Sequence, residues 1–64
     1  MPTITISGPV VDLERKRKLA NGLTAVAAEV YGLPKDAIVV IIQENPPENV
    51  ARGGALLIDR RPIT

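Results

Sequence analysis

Pro2 could act as an acid and a base in a chain that lacks the usual catalytic residues. The 64-residue sequence contains no His and no Cys, which excludes Ser–His–Asp and Cys–His catalysis within it. If Met1 is removed, Pro2 becomes a terminal secondary amine. An amine whose pKa is lowered by desolvation or a nearby cation can take a proton from carbon and return it elsewhere. The residues alone leave open the plainer interpretation that Pro2 merely follows Met1.

The other polar residues show no spacing typical of a chemical site. We expect the carboxylates to be solvated or to cap helices, and we predict neither a metal nor a cofactor. Gly53-Gly54 lacks the Lys-Ser/Thr and long helix of a phosphate loop and fits a hairpin or a bulge. The basic run at residues 15–18 lies in a predicted helix, which spreads its side chains around the axis. Because Lys and Arg (8) nearly balance Asp and Glu (7), we expect no nucleic-acid partner.

The hydrophobic pattern predicts one domain over residues 1–64, built from strand, helix, strand and a short final strand. Thr3 to Ser7 alternates like a half-buried strand. Asp12 is a candidate helix N-cap, and apolar residues recur at helical spacing until Gly32 ends the helix. Residues 38–42 form an unbroken β-branched run, and residues 55–58 a short apolar segment. A helix of about twenty residues between the first two strands fits a parallel βαβ crossover.

The predicted strand at residues 38–42 indicates that the protein assembles with other subunits. An unbroken apolar strand is typical of a sheet covered on both faces, and one helix covers only one of them. A chain of this length buries only about 60% of its unfolded surface and has no disulfide to stabilise it. We therefore expect a homo-oligomer. The sequence shows no transmembrane segment or signal peptide, so we expect no membrane partner and a cytoplasmic location.

Several segments in this order resemble the 4-oxalocrotonate tautomerase family, in particular its small bacterial and archaeal homologues. They are the Met-Pro start with Pro2-Thr3-Ile4-Thr5-Ile6, the helix from Asp12, Gly32-Leu33-Pro34, residues 40–50 and residues 53–60. The resemblance implies an α/β (α+β) tautomerase-like subunit: parallel β-α-β with one long helix and a short C-terminal β-hairpin. It also implies a hexamer described as a trimer of dimers.

The resemblance further implies a cofactor-independent isomerase. Such an enzyme would catalyse keto–enol tautomerisation of a small 2-oxo or 2-hydroxydienoic acid, with Pro2 as general base and acid. Its partner would be a small carboxylate substrate. Where characterised members carry arginines, this chain has Val11 and Val39, and Val50 replaces an aromatic residue. Arg52 is the best replacement cation because an Arg can hold a carboxylate bidentately. Arg60 and Arg61 are further candidates for substrate binding.

Three alternatives remain beside this interpretation. The missing arginines motivate a non-catalytic oligomer that keeps the fold. The family also includes members that hydrate, dehalogenate or decarboxylate unsaturated acids. A binding module built on residues 15–18 is the third alternative, and its nucleic-acid retention would depend on salt concentration.

Overall fold

The computed structural model describes residues 1–60, and its elements follow the predicted order. The strands and the helix are β1 (Thr3–Gly8), α1 (Leu13–Tyr31), β2 (Val39–Glu44), β3 (Ala51–Arg52) and β4 (Ala55–Leu56). Single 3₁₀ turns occupy Lys35–Ala37, Pro47–Asn49 and Leu57–Asp59. The β-α-β subunit with a C-terminal hairpin is thereby confirmed.

Local signals define both ends of α1. The Asp12 side chain accepts a hydrogen bond from the backbone N–H of Arg15 at 3.0 Å, which satisfies one of the free donors of the first turn. Gly32 ends the helix with φ 67°, a left-handed conformation that favours glycine. The predicted cap residues are therefore confirmed at both ends.

The first two strands pair in parallel, in a register that runs from Thr3 opposite Val39 to Gly8 opposite Glu44. Residues alternate between the two faces of such a pair. One face, which includes Ile6 and Ile42, lies under α1. The other face includes Ile41, which remains 44% exposed. The predicted apolar strand thus has one face that the subunit itself does not cover.

The end of the chain departs from the prediction of one short strand over residues 55–58. The strand β4 stops at Leu56, and the next three residues form a 3₁₀ turn. The N–H of Arg60 closes this turn by donating to the carbonyl of Leu57 at 3.1 Å, and the N–H of Leu57 donates to the carbonyl of Val50 at 2.8 Å. That bond closes the base of the hairpin, while Gly53 and Gly54 form its tip with positive φ angles.

The described residues bury few apolar side chains. Among the hydrophobic residues in 1–60, Ala28 (9% exposed) and Ile38 (8%) form the buried core. The Cα radius of gyration is 15.2 Å, against about 11 Å for a compact chain of this length. The described residues therefore leave much of their apolar surface exposed. Within residues 1–60, no helical segment has the length and apolar character that crossing a membrane requires.

Candidate active site

Pro2 lies at the amino end of the parallel strand pair and is held there through its backbone. Its carbonyl accepts a hydrogen bond from the N–H of Val39 at 3.0 Å. Pro2 is half-buried, whereas Met1 is 89% exposed. The strand pairing therefore fixes the ring that the sequence analysis identified as the candidate base, and it leaves Met1 outside the fold.

The residue that donates to Pro2 is apolar, and so is the residue before it. The residue that precedes the neighbouring strand, Ile38, is buried, and Val39 is half-buried. Val39 is one of the two positions at which the family resemblance predicts an arginine. The other such position, Val11, lies beyond the opposite end of β1, where its N–H donates to Glu44 at 3.0 Å. The two valines therefore sit at opposite ends of the sheet in one subunit.

The structure places the predicted substrate-binding arginines on the hairpin. Arg52 ends β3 and is exposed. The Arg60 guanidinium donates to the Arg52 carbonyl, with 3.3 Å between Nη2 and the oxygen. Arg61 lies outside the described residues. The structure thus brings Arg52 and Arg60 together, while their substrate contacts remain predictions.

The hairpin is rooted at the end of the sheet opposite Pro2. Ser7 and Asn45, at the carboxyl ends of the strands, line the same concave surface as Val50 and Leu57 at the base of the hairpin. The extended chain of β1 places this end of the sheet about 17 Å from Pro2. Each arm of the hairpin is two residues long, so Arg52 lies within about 7 Å of the base of the hairpin. Within one subunit, the backbone of Arg52 thus stays at least about 10 Å from Pro2.

Lys16 and Glu44 form a link that the sequence analysis missed. The Lys16 ammonium donates to one Glu44 oxygen at 2.6 Å, and the N–H of Val11 donates to the other at 3.0 Å. This corrects the expectation that Glu44 is simply a solvated carboxylate. The predicted parallel pairing of the two strands was the one feature that could have placed Glu44 toward the helix. No pattern of residue spacing in the sequence links two positions that are 28 residues apart.

These contacts lower the pKa of the Glu44 carboxyl below its ordinary value near 4.5. The hydrogen bond from Lys16 is the largest cause, followed by the bond from Val11, and partial burial opposes both. The link ties the loop before α1 to the end of β2. Among residues 1–60, no group of three or more carboxylates gathers into a metal site.

We expect stability to fall in acid because of Glu44. Its pKa is lower in the folded state, so the unfolded chain binds the extra proton as the pH falls. The ionised Glu44 carboxylate contributes its full stabilisation above about pH 4.5, the ordinary pKa of the group. This stabilisation is lost as the pH falls through the lower pKa that Glu44 has in the folded state. Glu44→Gln should lower Tm at pH 7 and flatten part of the acid slope in thermal melts from about pH 7 to about pH 3.

Glu48→Gln is the matched control for this change. Glu48 is exposed in the 3₁₀ turn that follows β2. Its replacement should leave the dependence of Tm on pH close to that of the wild type. Equal acid slopes for wild type and Glu44→Gln would show that the Lys16–Glu44 link does not contribute to stability.

The parallel β-α-β unit with a C-terminal hairpin is the fold of solved 4-oxalocrotonate tautomerase homologues. A family model described as "Tautomerase enzyme" matches residues 2–60 of the chain. The chain belongs to the tautomerase family.

Individual relatives agree with this assignment. A probable tautomerase from Bacillus cereus is 40% identical over 47 residues, which are 73% of this chain and 77% of the relative. The crystal structure of DmpI from Archaeoglobus fulgidus is 45% identical, with a TM-score of 0.81, over 91% of this chain and 100% of that one. A heterohexamer 4-oxalocrotonate tautomerase from Chloroflexus aurantiacus is 33% identical, with a TM-score of 0.74, over 94% and 95% of the two chains.

Proposed function

We propose that the protein is a cofactor-independent isomerase that tautomerises a small 2-oxo or 2-hydroxydienoic acid. The observation that supports this proposal most strongly is the position of Pro2. A backbone hydrogen bond from Val39 fixes Pro2 at the amino end of the parallel strands. The family match begins at this residue. Removal of Met1, which lies outside the fold, frees the Pro2 nitrogen as a secondary amine.

The proposed reaction moves one proton and changes no other atom. The neutral Pro2 amine accepts the hydroxyl proton of the enol while the oxygen–carbon bond gains double-bond character. The resulting ammonium returns that proton to a carbon of the conjugated system, which forms the ketone. The apolar neighbours Ile38 and Val39 support this role, because desolvation disfavours the charged amine and lowers its pKa.

The substrate carboxylate needs a cation, and we propose that a neighbouring subunit supplies it. In one subunit the backbone of Arg52 stays at least about 10 Å from Pro2, and the exposed apolar surface favours an oligomer. We propose a homohexamer, arranged as a trimer of dimers, in which Arg52 of one subunit faces Pro2 of another. The heterohexameric assembly of the Chloroflexus aurantiacus relative supports this arrangement.

Ketonisation of phenylenolpyruvate or 2-hydroxymuconate, followed by ultraviolet absorbance, tests the function. The protein is first shown by intact mass to begin at Pro2. Saturable conversion to a product of unchanged mass is the expected result. A product that has gained water or lost carbon dioxide or halide would instead indicate a hydratase, decarboxylase or dehalogenase.

Arg52→Ala should lower kcat/KM by about 10–100-fold, because a charge-assisted hydrogen bond contributes about 1.5–3 kcal/mol. Steady-state kinetics measure the effect. Arg17→Ala is the control, since Arg17 is exposed on α1 and pairs with Glu14, and it should retain wild-type rates. An unchanged kcat/KM in Arg52→Ala would remove Arg52 from the site.

Mixed oligomers locate Arg52 relative to Pro2. Chains carrying Pro2→Ala and chains carrying Arg52→Ala are co-expressed with different carboxyl-terminal tags, and oligomers bearing both tags are purified. If the site joins two subunits, random mixing restores about a quarter of the sites, which contain one intact residue from each chain. Activity no higher than in the separate variants would place both residues in the same subunit.

A non-catalytic oligomer is the second candidate, and Val39 is the observation that favours it. This position adjoins Pro2 and carries no cation here. The candidate predicts an intact assembly without ketonisation and a Pro2 amine that retains the basicity of an ordinary terminal proline.

A further inference from the structure

The concave surface at the base of the hairpin has the size and the lining of a site for an apolar group. Its volume is about 340 Å³, and small-molecule sites occupy about 300–1,000 Å³. Three segments of the chain contribute apolar side chains to it: Pro9 before α1, Pro47 after β2, and Val50 with Leu57 at the hairpin base. None of the described residues that line this surface is charged.

The two polar side chains on the concave surface are bonded to each other. Nδ2 of Asn45 donates to the Ser7 hydroxyl oxygen at 2.6 Å. The backbone N–H of Asn45 donates to the carbonyl of Gly8 at 2.8 Å. A carboxylate placed on this surface would meet no cation there, and covering an unpaired charge is unfavourable. The surface therefore suits an apolar group of a ligand better than a charged one.

A cation lies at the edge of the concave surface, on the same side of the hairpin. Val50 has extended dihedral angles, φ −122° and ψ 127°, and Arg52 follows it by two residues in β3. Alternate residues of an extended chain share a face, so Arg52 lies on the side of Val50, about 7 Å along the strand. A ligand whose carboxylate binds Arg52 can thus lay its remaining atoms over Val50 and Leu57.

The residues bonded to Pro2 add no second cation to the proposed site. Val39 donates to the Pro2 carbonyl and is apolar, and so is Ile38 before it. In the assembly proposed above, both residues accompany Pro2 to the Arg52 of another subunit. The substrate would therefore meet one cation beside apolar side chains.

We infer that the substrate is a monocarboxylate with an apolar far end, namely a 2-oxo acid or its enol that carries an aryl or branched alkyl group. Arg52 binds its one carboxylate, and the apolar group covers the concave surface. A dicarboxylate of the same length is disfavoured, because its second charge would lie against Val50 and Leu57. This inference rests on the proposed function and narrows its substrate class.

Two unreactive ligands of similar length test the inference by binding alone. Titration calorimetry compares 3-phenylpropanoate, which has one carboxylate and a ring, with adipate, which has a carboxylate at each end. The assembled protein that begins at Pro2 should bind 3-phenylpropanoate at least about 10-fold more tightly. Adipate binding of equal or greater strength would overturn the inference, and so would the absence of binding by both ligands.

Val50→Arg should reverse this preference, because it places a second cation on the concave surface. Adipate should bind about 10-fold more tightly than it binds the wild type, and 3-phenylpropanoate more weakly. Asn49→Arg is the matched control. Asn49 is exposed and does not line the surface, so the variant should keep the wild-type preference. Native mass spectra verify that both variants assemble, and an assembled Val50→Arg protein that keeps the wild-type preference would contradict the inference.

Arg52→Ala tests whether Arg52 and the concave surface belong to one site. The variant should weaken the binding of both ligands by about 10-fold or more, because each gives one carboxylate to Arg52. Unchanged binding of 3-phenylpropanoate would separate Arg52 from this surface and overturn the inference.

The binding measurements need no turnover, so the inference and the proposed function fail separately. A protein that prefers 3-phenylpropanoate but ketonises no enol would contradict the tautomerase proposal alone. A protein that ketonises 2-hydroxymuconate and binds adipate as tightly as 3-phenylpropanoate would contradict the inference alone.

Discussion

Pro2→Ala should lower kcat/KM for enol ketonisation by about 10²–10⁴-fold, the contribution typical of a general acid–base group. The replacement removes the secondary amine but keeps the backbone carbonyl that accepts the Val39 N–H. We therefore expect the strand pairing and the assembly to survive. Steady-state kinetics measure the effect on variant protein that intact mass confirms to have lost Met1.

The native mass spectrum separates loss of chemistry from loss of structure in this experiment. An unchanged oligomer with a large fall in rate assigns the defect to the amine. A decrease of less than about threefold would be far below the contribution of a general base. Such a result would show that catalysis does not require the secondary amine of Pro2.

Ile41→Lys should prevent assembly, which is the second large effect. Ile41 lies on the face of β2 turned away from α1 and is 44% exposed in the subunit. If another subunit covers this face, the variant buries an unpaired charge, which is strongly unfavourable. Sedimentation velocity should find monomers at concentrations where the wild type forms hexamers.

Ile41→Val is the matched control, because it keeps an apolar β-branched side chain of nearly the same shape. It should assemble like the wild type. If Ile41→Lys formed oligomers as readily as Ile41→Val, this face of the sheet would be open to water in the assembly. The proposed trimer of dimers would then need another interface.

Local signals explain why the helix could be predicted to the residue. Asp12 and Gly32 act within one turn of their own positions, so the sequence around them contains all the information needed. The alternation in Thr3 to Ser7 likewise places Ile4 and Ile6 on the helix-facing side of β1. The second strand was predicted at residues 38–42, whereas β2 begins one residue later and ends two residues later, at Val39–Glu44. The difference arises because pairing with β1 determines the length of β2.

Contacts between distant residues explain what the sequence did not predict. Glu44 meets Lys16 only after the two strands align in parallel, 28 residues apart along the chain. The base of the hairpin similarly closes through a bond between Leu57 and Val50. Arg52 illustrates the remaining difficulty, since its relation to Pro2 depends on how subunits assemble.

The pKa of the Pro2 nitrogen tests the central claim most directly. Protein labelled with ¹⁵N-proline and confirmed to begin at Pro2 would be titrated by nuclear magnetic resonance. We predict a pKa below the ordinary α-amino range of about 7.7–8.0, since a base must be neutral near pH 7 to accept the enol proton. A pKa above that range would show an amine protonated at neutral pH, and it would contradict the assignment of Pro2 as the catalytic base.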